Sequence, residues 1–221
     1  GFKDSVRRPF YKIKQGVSQS DIELGDLGYA KEAMSSYQIF SRLVTEEKIS
    51  SNVRFQVSIP TPMALVCGFI MAEDQLNVEP AIESAMIKDV AQIQAEIPPD
   101  HLTIQWDVCY EVVGSDGGPK LPYDNNIPGT VERLARLCGS IDDRVELVIH
   151  LCYGDPGHKH IVDPIDLGTS VEFANKICAA SPHLINAVHM PVMKNRTDEA
   201  YFKPLKNLDI PNDTKLILGL V

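Results

Sequence analysis

Five short apolar runs punctuate the chain: residues 53–59 (VRFQVSI), 102–108 (LTIQWDV), 145–152 (VELVIHLC), 185–192 (INAVHMPV) and 215–221 (KLILGLV). Their length and β-branched content predict strands. Helical periodicity runs over residues 29–48, before the first of them, and over 80–97, 130–138, 169–180 and 198–208, between the later ones. In the second of these Ile82, Ala85, Met86, Val90, Ile93 and Ile97 share one face, with Pro80 expected at the helix start, where its missing N–H is harmless.

Strand and helix alternate at roughly 35 to 50 residues, the mark of βα units carrying a parallel sheet. The near-continuous apolar runs predict strands buried on both faces. Long strand-to-helix connections, such as 111–129 and 153–168, contrast with short helix-to-strand ones, such as 98–101 and 140–144. The elaborated loops therefore sit at the C-terminal ends of the strands, where barrels and doubly wound sheets keep their sites. No GxGxxG, GxxxxGK[ST] or GxSxG is present, so nucleotide-binding and nucleophile-elbow readings lose their support. The expected fold is α/β, a (β/α)8 TIM barrel. About five of its eight strands are visible, since a closed barrel usually takes about 250 residues.

Composition narrows the function. The chain has 221 residues, 44% of them hydrophobic, and a net charge of -9, which gives no support to a nucleic-acid surface. The basic cluster Arg7, Arg8, Lys12 and Lys14 reads as a solvated segment. No apolar run approaches twenty residues, so no membrane partner is expected. Five cysteines without CxxC pairing predict free thiols in a reducing, cytoplasmic setting. The start at Gly1 and the apolar end at Val221 suggest part of a longer protein, and bare strand edges suggest a homo-oligomeric partner.

Candidate chemistry gathers at the strand ends. Asp107 closes the second run and Glu111 follows at the loop mouth, where a carboxylate holds a substrate amine or acts as a base. His150 and Cys152 are spaced i, i+2 and so share one strand face, a soft-plus-borderline donor pair that suits zinc. His189 falls at the same height on the next run and is a third candidate ligand. His101 and His183 belong to the opposite end.

Here a resemblance enters. HLCYGD resembles the H-x-C-Y strand of cobalamin-independent methionine synthase, and IQWD is similar to that family's Q-x-D strand. VRFQVSIPTP resembles the preceding strand and its turn, and LILGLV the strand after the zinc glutamate, so the five runs would be the third to seventh of the barrel. The resemblance implies methyltransferase chemistry, with zinc-dependent alkyl transfer from a folate-type methyl donor to a thiol or amino-acid-like small molecule. His150 and Cys152 would be ligands, with His189 where the family has a glutamate. Asp107 would anchor the substrate amine, with Tyr153, Asp155, His158 and His160 at the entrance. The family's DEP is here DVC, and its last zinc cysteine would fall beyond Val221. A metal-free lyase, like the related uroporphyrinogen decarboxylase barrel, and a non-catalytic binding barrel are the alternatives.

Overall fold

A computed structural model describes residues 9–157 and 159–219. Arg7 and Arg8 of the basic cluster, His158, and the last two residues of the run 215–221 lie outside the described residues. Each apolar run holds one strand: β1 (Phe55–Pro60), β2 (Leu102–Val108), β3 (Glu146–Leu151), β4 (Ala187–Pro191) and β5 (Lys215–Gly219). The helices are α1 (Tyr29–Thr45), α2 (Pro62–Phe69), α3 (Gln75–Glu96), α4 (Tyr110–Ser115), α5 (Asn126–Cys138), α6 (Gly168–Ala180) and α7 (Glu199–Phe202).

Two helices fall where loops were expected. α2, with Pro62 in its first turn, is too short and too uniformly apolar to show a period, and α4 occupies the start of the 111–129 connection. Pro80 does not open α3 but lies inside it, because the helix begins at Gln75. The helix runs through the proline at the loss of one backbone bond. Gly28, whose positive φ turns the chain, precedes α1, and the Tyr29 N–H donates to Asp89 of α3 at 3.0 Å.

The five strands form one parallel sheet in the order β1-β2-β3-β4-β5, without the order reversal of a doubly wound fold. The sheet is open: among the described residues β1 pairs only with β2, and β5 only with β4. A closed TIM barrel is therefore not seen.

The sheet's two faces differ in chemistry. Register sets Ile59, Trp106, Ile149 and Val188 on one face, and these join helix residues such as Val90, Ile93, Leu134 and Phe173 in one core. The other face carries Gln56, Thr103 and Glu146, then Ser58, Gln105, Val148, Ala187 and Lys215. Gln56, Ser58 and Lys215 on the outer strands are exposed, so the expected burial on both faces holds only for the central strands. β1 in fact alternates with period two, as a half-covered strand must. Among the described residues no helix is long and apolar enough to cross a membrane.

The two faces differ in what a truncation does. Ile149→Ala on the core face is expected to lower stability by about 2 to 5 kcal/mol. Lys215→Ala on the open face should stay within about 0.5 kcal/mol. Urea midpoints at an unchanged slope check both.

Candidate functional site

A row of in-register residues crosses the C-terminal end of the sheet: Pro60, Asp107, His150, His189 and Ile217. Register partners in parallel strands project to the same side, so Asp107, His150 and His189 stand side by side. The His150 and His189 rings lie 4.5 Å apart, centroid to centroid, and tilted by 30°. His189 is seated by what β5 lacks. A Cβ at Gly219 would come within 2.8 Å of His189 Nε2, so glycine leaves the space the ring fills.

Asp107 is held from below. Gln105 Nε2 donates to its Oδ1 at 2.7 Å and also reaches Ser58 Oγ at 3.2 Å, while Gln56 Nε2 donates to Gln105 Oε1 at 3.1 Å. Burial raises the Asp107 carboxyl above its ordinary value, and the Gln105 bond and the neighbouring His150 oppose that. Gln105 thus orients the acid through the pattern Q-x-D.

Cys152 follows His150 on the same face, and its N–H donates to Val108 O at 3.1 Å, so the β2–β3 pairing continues past the strand ends. That continuation brings Cys109 beside Cys152, a neighbour that sequence reading did not assign. The neighbouring Cys109 thiol, His150 and the Gly154 N–H favour the charged Cys152 sulfur and hold its thiol well below the ordinary range, against its own burial. Cys109, as the partner that keeps its proton, is shifted upward. Burial works against a charged His150, but the bonds and charges of Cys152 and Asp107 outweigh it and raise its pKa. His189 moves down, through burial and then through the neighbouring His150. Gly154 adopts a positive φ of 68°, and a Cβ there would meet Ile161 Cδ1 at 2.9 Å and Cys109 Sγ at 3.3 Å.

His150, Cys152 and His189 line a cavity of about 1000 Å3, together with Asp155, Lys159, His160, Met193 and Lys194. His160 Nδ1 lies 3.5 Å from Asp163. The remaining expected site residues fall differently. Asp107 stands in the row but is not in the cavity wall. Tyr153 contributes to the wall, yet its hydroxyl is committed to Asp116 at 2.8 Å. Glu111 is not at a loop mouth: it lies on α4, only 2% exposed, and Oε2 has no hydrogen-bond partner. Burial pushes its carboxyl up to about 7, opposed by the adjacent Thr61 hydroxyl. His101 and His183 lie at the far end, bonded to Tyr37 and to backbone carbonyls.

No protein-family model, curated protein or solved structure matches the chain in comparisons with each. In kind the donors fit zinc: an imidazole and a thiol that line one cavity, the thiol biased toward thiolate, and a buried His150 Nδ1 without a partner. In number they are few, for no three His, Cys, Asp or Glu side chains among the described residues form a metal-ligating group.

Two measurements follow. An ordinary thiol alkylates about 100-fold faster at pH 7.5 than at pH 5.5, because its thiolate fraction rises tenfold per unit. Cys152 is expected to vary less than about 3-fold over that range. Cys67, Cys138 and Cys178, raised by burial to about 12, 12 and 11, should stay silent in the folded protein. For Glu111 the folded pKa lies above the unfolded one, so ionisation opposes folding and stability falls as pH rises from 4.5 toward 7. Glu111→Gln should retain about 3 kcal/mol that the parent loses across this window, read from urea midpoints at pH 4.5 and 8.

Proposed function

We propose that the sheet is a five-strand arc of a (β/α)8 barrel, and that its site transfers an alkyl group to a thiol-bearing or amino-acid-like small molecule. The group would be methyl, from a folate-type donor, in the methionine-synthase-like manner. The carrying observation is His150 on β3 and Cys152 just past its end, both lining one cavity, with Asp107 in register one strand away. Consecutive strand order and a polar open face support the arc, since a barrel buries its inner face under strands from the far side. A second copy of the chain is a fitting cover for the bare edges.

His150 and Cys152 would hold zinc, with His189 beside them. When bound, the metal would supply Lewis acidity that keeps a substrate thiol ionised at neutral pH. Asp107, oriented by Gln105, binds the substrate amine and fixes its distance from Cys152. Asp155, Lys159 and His160 line the way in. The small number of donors favours a second reading, a metal-free barrel in which the same pocket binds or cleaves a small molecule.

Elemental analysis of protein purified without chelator separates the two. Zinc is expected at about one per chain in the parent and in Cys138→Ser, whose sulfur is buried on α5, and to be mostly lost in Cys152→Ser. Equal zinc in the Cys152→Ser protein and its parent would remove the metal from the reading.

A further inference from the structure

The contact between Cys109 and Cys152 has chemistry of its own. The residues follow the C-terminal ends of adjacent parallel strands, whose backbones lie about 4.8 Å apart. The Cys152 N–H to Val108 O bond at 3.1 Å carries that spacing as far as the two cysteines. It falls inside the roughly 4.4 to 6.8 Å window of Cα separations that a disulfide spans. Gly154 closes over the Cys109 sulfur, since a Cβ there would stand 3.3 Å from Sγ. Cys109 is thereby kept against its neighbour, while Cys152 lines the cavity and is open to a small oxidant.

We propose that Cys109 and Cys152 form a reversible disulfide on exposure to a hydroperoxide, a modification site that closes the thiol of the candidate site. The Cys152 sulfur attacks one peroxide oxygen, an S–O bond forms, the O–O bond breaks, and the departing oxygen leaves as water after taking a proton. The Cys109 sulfur then attacks the Cys152 sulfur, releasing its own proton and displacing the hydroxyl as a second water. Two thiols are oxidised and one hydroperoxide, here hydrogen peroxide, is reduced to two waters. A dithiol reductant reverses the change by exchange. The other three cysteines lie on helices: Cys138, fully buried, on α5, Cys67 on α2 and Cys178 on α6.

This inference does not rest on zinc or on alkyl transfer, and its readout is sulfur chemistry alone. The purified full chain is treated with equimolar hydrogen peroxide, quenched, alkylated under denaturing conditions without reductant, and peptide-mapped. The expected result is loss of two of the five free thiols, with one peptide pair linked through Cys109 and Cys152, and full recovery after dithiothreitol. Cys109→Ser should abolish the linked pair and leave Cys152 as a sulfenic acid that dimedone traps, whereas Cys178→Ser should keep the link. Retention of all five thiols, a link through any other pair, or direct passage of Cys152 to the sulfinic acid in the parent overturns the proposal. Should Cys109→Ser fail to fold, the parent's peptide map decides it unaided.

Discussion

Strand register is the constraint on which the candidate site depends. A slip of one residue between β2 and β3 would turn Asp107 toward the helices and leave His150 without its neighbour. The apolar face fixes that register. Ile59, Trp106, Ile149 and Val188 occupy equivalent positions on four successive strands and pack into the helical layer, so each polar side chain between them is carried to the other side. The hydrophobic core thus places the acid, the imidazoles and the thiol from the opposite face of the sheet. The placement follows from alternation alone.

Much of this was legible in the sequence. The five runs each contain a strand, and the i, i+2 spacing of His150 and Cys152 placed them on one face, because strand period survives every change of context. The height of His189 was also readable, since equal-length parallel strands with similar starts keep their ends level. What escaped is instructive. Glu111 was expected at a loop mouth, yet α4 begins at Tyr110 and winds the carboxyl into the interior; six residues are too few to show a helical period. Tyr153 was expected to face a substrate, but its hydroxyl found Asp116, thirty-seven positions away in sequence. Cys109 was unassigned because its importance lies in a neighbour on another strand. Closure of the barrel was a count of strands, and a count does not decide what pairs with the outer edges.

The site's electrostatics come from unequal partners. Cys152 sits beside Cys109, two like groups whose surroundings shift the first down and the second up. Asp107 and Glu111 are only four residues apart, but Asp107 has Gln105 and His150 to stabilise its charge while one oxygen of Glu111 has no partner. Burial raises both carboxyls, whereas the two cysteines are pushed in opposite directions, a pattern that catalytic sites use to divide roles.

Gly219 illustrates how a strand position can be intolerant without looking so. Its backbone is free of the positive φ that usually marks an indispensable glycine, so local geometry would admit any residue. The restriction comes from the neighbouring strand, where the His189 ring occupies the space a methyl group would need. Mutational tolerance at this site is therefore set by pairs of positions, and the two residues should vary together or not at all. Replacing His189 with a smaller side chain would free space for a Cβ at position 219, while keeping it requires the ring to shift before a larger residue fits there.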